Sequence, residues 1–402
     1  MTEYKDACSI IEMAFRDLSP GIEEIELTEA VDRILAEDII SDTDIPLFDN
    51  SAMDGFAVKF NEKYHNWHIA GEISAGNFRE FIADDLAAVS IMTGSRLPEG
   101  FDTVIPIEDV IIRESDIILN TNARYKQGIN INYKGQDLQA GSIAVEKGTL
   151  LNSSHIAATA ACGKARVKVY RKLRIGVLAT GDELLEITEK PYADKIRASN
   201  LYSIQSAVRE MNMTPVNYGI VRDDKEEIRN LVSRALNEDI DILITTGGVS
   251  VGKYDFVRDI FAELGVEIRL QKINIKPGKP VVFGVYKNKE IPVFVFGLPG
   301  NPVSSLVTFY LFVKASIFGH FGIKRFRTYK AILLKNINKN DSKRHFVRGI
   351  LNRNEKGDLT VSDTGMQSSG NLVQMSRADC LIVIEENRIN PVMGEEVECI
   401  QI

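Results

Sequence analysis

Apolar residues at Ala7, Ile11, Ala14, Phe15 and Leu18 recur every three or four positions, which predicts a helix over Tyr4–Leu18 stopped by Ser19, Pro20 and Gly21. Similar spacing predicts a second helix over Leu27–Leu35 with Thr28 as its cap. A proline-containing stretch from Ile45 then runs into Asp49–Val58, DNSAMDGFAV, a polar turn ahead of a strand. Between Trp67 and Leu151 the period shortens to alternation. The runs His68–Ile73, Ala87–Met92, Thr103–Pro106, Asp109–Arg113 and Ile117–Asn120, separated by glycines and polar turns, predict a compact β domain. A helical stretch over Ser154–Ala161 and a strand after it bring the chain back to its first region.

From Leu173 strands alternate with amphipathic helices. The apolar runs Arg174–Ala179, Pro215–Ile220, Asp241–Thr245, Glu267–Gln271, Val281–Tyr286 and Ile291–Phe296 are interleaved with helical patterns over Asn200–Met211, Lys225–Asn237 and Asp255–Leu264 and from Val303 onward. That alternation predicts an open, doubly wound α/β sheet. Past Arg325 only strands remain, at Tyr329–Ile337, His345–Arg353, Leu359–Ser362, Cys380–Ile384 and Glu396–Ile400, as in a small β barrel or sandwich. The expected division is 1–45 with 138–172 as a discontinuous extended domain, 46–137 as an inserted β domain, 173–325 as the α/β domain and 326–402 as the barrel.

Composition narrows the function. With 402 residues, two to four domains are expected. Forty-eight basic against 56 acidic residues give a net charge of -8, which argues against a general nucleic-acid surface but leaves room for a local basic pocket. Met1–Phe15 mixes charges into its apolar residues and lacks a signal peptide's pattern, and no segment reads as the ~20 apolar residues of a membrane span. A cytosolic protein is expected. Cys8, Cys162, Cys380 and Cys399 show no CxxC spacing and read as buried thiols, and the five histidines accompany no GxSxG or HExxH motif.

In a doubly wound sheet, ligands sit beyond the carboxyl ends of the strands. Four loops there carry chemistry: ATGDEL (Ala179–Leu184), TTGGVSVGKYD (Thr245–Asp255), NIKPGKP (Asn274–Pro280) and GLPGNPVS (Gly297–Ser304). Gly247, Gly248 and Gly252 let the backbone approach a ligand, and the N–H groups around Val249, Ser250 and Gly252 form a candidate anion nest, against the plainer reading of a tight turn. Lys276 and Lys279 flank Pro277 and Gly278 on a stiff turn that suits an oxyanion, with solvated surface lysines as the alternative. Pro299, Gly300 and Pro302 form a rigid loop ahead of Ser304 in the first turn of a helix, where N–H groups favour an anion. Glu183 and Asp255 add acids to the same edge. Carboxylates beside a phosphate call for a hard cation between them, so Mg²⁺ is implied, although either acid alone is also a plausible helix cap.

These loops, with DNSAMDGFAV, IMTGSRLPEG (Ile91–Gly100) and KGQDLQAG (Lys134–Gly141), resemble the MoeA family, the fused E domain of gephyrin included. The resemblance spans the chain from near residue 4 onward. It implies a four-part L-shaped monomer in a homodimer, with a MogA-like α/β domain, and an enzyme that takes adenylylated molybdopterin and molybdate with Mg²⁺, cleaves the pyrophosphate and releases AMP and molybdenum cofactor. By similarity, Asp255 resembles the Mg²⁺-contacting acid, with Glu183 beside it. Gly247, Gly248, Val249 and Ser250 line the pterin nucleotide site, and Lys276, Lys279, Pro280, Ser304, Arg348 and Ser369 resemble the molybdate-handling group, with Ser368 as the alternative to Ser369. Asp54, Thr93 and Asp137 match functional positions of relatives and are expected to reach a cleft completed by a second subunit. The partners implied are that second copy, a MogA-type adenylyltransferase and molybdoenzyme acceptors; neither nucleic acid nor a membrane is expected.

Two rivals remain. A MogA-like adenylyltransferase would carry GGTG where this chain has Val249-Ser250, and it would lack the other domains. A dimeric scaffold would have no use for Asp54, Glu183, Asp255 and both lysines.

Overall fold

The first helix, Tyr4–Phe15, buries Ala7, Ile11, Ala14 and Phe15. Phe15 stacks on Phe294 at 4.4 Å, while the ring of Tyr4 meets the edge of Phe346 at 5.2 Å, so this one helix binds the α/β sheet to the barrel. The computed structural model describes residues 1–74, 76, 78–120, 125–249 and 256–402. Ser250, Gly252 and Asp255 lie outside the described residues.

The helix expected over Leu27–Leu35 does not form. Ile22–Glu26 is a strand antiparallel to Arg166–Tyr170, and only Leu27–Glu29 makes a single 3₁₀ turn. Leu27, Ala30 and Leu35, whose spacing suggested a helix, instead enter a small cluster with Ile39, Val145, Leu151, Val167 and Val169. Strand pairing supplies the burial that helix periodicity seemed to promise, and tertiary contacts override local preference.

The inserted region is a six-stranded sheet in the order Thr103–Pro106, Gly55–Val58, Ala87–Ile91, Asn66–Ile73, Asp116–Leu119, Val110–Arg113. The second sheet runs Thr214–Val221, Arg174–Thr180, Ile242–Thr246, Val293–Leu298, Val282–Tyr286, Val266–Leu270. Its first four strands are parallel, and Val282–Tyr286 runs against both of its neighbours. Helices Ser199–Glu210, Lys225–Asn237, Val257–Glu263 and the one starting at Pro302 accompany it. Both of its faces are dry, one packed with Phe283, Phe294 and Phe296 and the other with Leu243, Val282 and Val295.

The helix from Pro302 runs through a π-helical segment, Phe309–Lys314, to His320. Contrary to the sequence expectation, these 19 residues are long and apolar enough to cross a membrane. Their apolar side chains, among them Val303, Val307, Phe309, Phe312 and Ile317, are buried in the protein core, which accounts for the composition.

In the last region Arg344–Arg353, Leu359–Asp363, Thr328–Leu333, Glu396–Gln401 and Cys380–Ile384 pair in turn, and the last returns to the first, closing a five-stranded barrel. A sixth short strand, Ile275–Lys276, leaves the α/β region and pairs with Arg344 and His345. Closure leaves the barrel without a free edge at those five strands.

Candidate functional site

The adjacent parallel strands Arg174–Thr180 and Ile242–Thr246 lead to opposite sides of the sheet, because Thr214–Val221 lies beyond the first and Val293–Leu298 beyond the second. That is the switch point where a crevice opens. It is lined by Thr180, Glu183, Arg197, Asn200, Thr246 and Gly300, together with Pro302. The loop geometry requires glycine. Gly247 has φ +95°, its N–H donates to Leu298 O at 3.1 Å, and a Cβ there would sit 2.5 Å from Thr180 O. Gly248 has φ +64° and would place a Cβ 2.7 Å from Val257 Cγ2.

Asn200 Nδ2 donates to Gly300 O at 2.7 Å and holds the GLPGNP loop over the crevice. Thr180 Oγ1, Thr246 Oγ1 and Asn200 Oδ1 are buried with no partner among the described residues. Each such atom costs about 1–3 kcal/mol unless a ligand or water meets it, so their clustering here points to a polar occupant. Glu183 is exposed at the rim, and its backbone carbonyl accepts from Ile196 N at 2.8 Å. Two expected contacts face away. The Val249 side chain is packed in the core against Gly297, leaving only its backbone for a ligand, and Pro299 is buried and does not line the crevice. Arg197, in the short strand Ile196–Arg197, and Ser199 and Asn200, in the first turn of a helix, line the crevice without having stood out in sequence.

On the other side of the GLPGNP loop, a pocket of about 530 Å³ lies between the α/β region and the barrel. Lys276, Lys279, Pro280, Ser304, Arg348 and Ser369 all line it, whereas Ser368 does not. Gly278, φ +99°, allows the lysine turn to lie on the long helix, since a Cβ there would be 2.3 Å from Thr308 Cγ2. Ser369 O accepts from Val303 N at 3.0 Å, tying the barrel loop to the helix start.

Arg348 is 1% exposed. Its guanidinium donates to Met366 O at 2.8 Å, Ser368 O at 3.0 Å, Asn371 O and Gln367 Oε1 at 3.3 Å. Most of its donors therefore shape the loop that carries Ser369, and burial holds its pKa below the usual arginine value. Lys339, fully buried nearby, donates to Asp341 O at 2.7 Å and Glu386 O at 3.0 Å. Neither cation has an ion pair with a carboxylate among the described residues. Backbone carbonyls compensate both buried charges, and the pocket lining is basic, with Lys276, Lys279, Lys343 and Arg348 against Asp363.

Sequence reading also missed His345, Asn338, Lys343 and Asp363, which line the same pocket. His345 sits beside Lys276 in the strand register, and its Nε2 lies 2.8 Å from Asp341 Oδ1. The i, i+4 spacing of Asp341 and His345 was the only trace in sequence.

The remaining expected residues lie elsewhere. Asp54 Oδ1 accepts from Thr93 N at 2.7 Å and Thr93 Oγ1 at 2.8 Å, and these bonds, the backbone one foremost, hold its carboxyl below the usual range. Asp137 is exposed beside the bridge between Ile45 and Leu138. Among the described residues, no hydrogen bond joins these three to the crevice or the pocket. Nor, among the described residues, do three or more His, Cys, Asp or Glu side chains gather into a metal-binding group.

Three family descriptions match almost end to end: MoeA N-terminal region (domain I and II) over residues 2–163, probable molybdopterin binding domain over 176–318, and MoeA C-terminal region (domain IV) over 330–402. A molybdopterin molybdenumtransferase of Haemophilus influenzae is 37% identical over 93% of this chain and 92% of its own length. One from a Nostoc species is 32% identical over 100% and 94%. The crystal structure of a molybdopterin biosynthesis moeA protein from Pyrococcus horikoshii OT3 superposes with TM-score 0.84 at 28% identity, covering all of both chains.

Proposed function

Because the chain belongs to the MoeA family of molybdopterin molybdenumtransferases, enzymes of molybdenum insertion in molybdenum cofactor biosynthesis, we propose a division of labour between its two cavities. The crevice takes adenylylated molybdopterin and the pocket takes molybdate. The observation that carries this reading is the pocket lining, in which Lys276, Lys279, Lys343 and Arg348 stand against one acid, Asp363, among the described residues, with Ser304 and Ser369 beside them. Lysine ammoniums and serine hydroxyls suit a tetrahedral oxyanion, and no side-chain nucleophile is required. Gly300 and Pro302 line the crevice while Asn301 lines the pocket, so one loop is the wall between the two substrates.

Mg²⁺ takes oxygen ligands, and the Glu183 carboxylate with the unpartnered Thr180 hydroxyl is a fitting donor set at the crevice. Glu183 and Asp255 are the acids we assign to it; when bound, the ion offsets charge on the phosphoanhydride as AMP leaves. We further assign the protein to the cytosol as a homodimer, with Asp54, Thr93 and Asp137 facing a cleft of the second copy, in contact with a MogA-type adenylyltransferase and with molybdoenzyme acceptors. Incubation of the protein with adenylylated molybdopterin, Mg²⁺ and molybdate tests the core of this reading. AMP release should require molybdate and should be lost in a Lys276→Ala, Lys279→Ala variant. Release without molybdate, or full release by the variant, would refute it.

A further inference from the structure

We propose that His345 is a proton-carrying member of the oxyanion pocket, taking up one proton as the dianion binds beside it. This rests on the reading of the pocket given above. His345 is 5% exposed, lines the pocket, and is the register partner of Lys276. Its Nε2 is fixed by Asp341 at 2.8 Å. A neutral imidazole in that position holds its Nε2–H toward the carboxylate and keeps a lone pair on Nδ1.

The groups around it divide by sign. Lys276 comes from the strand alongside, Lys339 and Lys343 from the loop before it, Arg348 from its own strand, and Lys279 from across the pocket. Asp341 is bonded to it, Asp363 lines the pocket, and Glu386 is occupied by Arg344 at 3.0–3.1 Å. Neighbouring Ile384, its partner on the other side, carries no charge. Burial is the largest influence on the imidazole and depresses its pKa; Asp341 pulls the other way, and Lys276 and Lys339 add to the depression. A dianion held by Lys276 reverses the local sign. It attracts an imidazolium where the empty pocket's cations repel one, so the proton is favoured in the complex. With the folded pKa depressed in the free protein and raised in the complex, proton uptake occurs at pH values between the two. Binding weakens by up to about tenfold per pH unit across that window and levels off above it.

The test is titration calorimetry of the full chain with sodium molybdate in buffers of different ionisation enthalpy, from pH 6 to 8. The wild type should take up a proton fraction that peaks near one per molybdate. His345→Gln should bind with no such uptake, its residual reporting the ligand's own ionisation. Asp341→Asn should retain uptake but shift it to lower pH, since the imidazole loses its carboxylate. Uptake that persists in His345→Gln, or wild-type binding without uptake, overturns the proposal. Absence of saturable molybdate binding, or binding indifferent to Lys276→Ala, Lys279→Ala, instead overturns the oxyanion reading beneath it, and the proposal with it. If His345→Gln does not fold, the imidazole titration of the wild type followed by NMR decides: its midpoint must rise on adding molybdate, and an unmoved midpoint refutes the idea.

Discussion

Alanine at Gly247 and alanine at Gly300 should have opposite consequences, although both glycines border the same crevice. At Gly247 the added Cβ would stand 2.5 Å from Thr180 O and 2.9 Å from Thr180 Oγ1, inside any ordinary contact. Relieving that overlap in a packed strand end costs about 1–3 kcal/mol. The residue's φ of +95° strains any L side chain, by a further ~1–3 kcal/mol. A loss of roughly 2–6 kcal/mol is expected. At Gly300 the nearest atom to a new Cβ is Gly247 Cα at 3.6 Å, and φ is not positive. Stability there should hold, or gain about 0.4–1 kcal/mol from the stiffer unfolded chain. Its methyl group would instead narrow the crevice and weaken binding of the molybdopterin nucleotide. Urea denaturation followed by far-UV circular dichroism measures the difference. Trp67, the only tryptophan, is buried in the inserted sheet, so its fluorescence transition should stay unmoved in both variants. Equal stabilities for the two variants would show that the close approach of Gly247 to Thr180 is not what demands glycine.

Replacing Arg348 with methionine keeps most of the volume but removes the charge and leaves three loop carbonyls without their donor. Molybdate affinity measured by calorimetry should fall by about 2–3 kcal/mol, roughly 30- to 150-fold, and an unchanged affinity would remove Arg348 from the site. At the opposite end of the sheet, Asp241 is 3% exposed and accepts from Arg171 at 2.6 and 2.8 Å and from Arg174 N at 2.7 Å. Asp241→Asn should cost about 2–3 kcal/mol in urea denaturation, less than a fully buried pair because Arg171 is partly solvated. Activity per folded molecule should be unaltered, and a selective loss of activity would contradict the distance of this pair from both cavities.

The inner strands of the α/β region were legible because both faces of the sheet are covered there, so they read as apolar runs, as at Val293–Leu298. Strand direction was not. Nothing in the run Val282–Tyr286 marks it as antiparallel, since an apolar strand buried on both faces looks alike either way. Leu27–Leu35 misled for the converse reason: its spacing fits a helix, but its partners, Val167 and Val169, lie far along the chain. In the site, Lys276, Lys279 and Ser304 stood out through the prolines and glycines around them. Arg348 and Ser369 were reached only through family resemblance. His345 and Lys339 were missed, because their chemistry depends on the barrel meeting the α/β sheet and no local pattern records that meeting.

The pairing of Ile275–Lys276 with Arg344 and His345 also sets a schedule for the nascent chain. All the strands and helices around the crevice are present once His320 has emerged from the ribosome, but the barrel closes only with Glu396–Gln401. The 81 residues between them, 401 minus 320, take about 4–16 s at bacterial-to-eukaryotic elongation rates of ~5–20 residues per second. On the proposed division of labour, the chain during that interval has a seat for the pterin nucleotide and none for the oxyanion. On the same reading, a messenger cut short in this stretch would yield a chain that, if its α/β region folds, holds the precursor and delivers no metal.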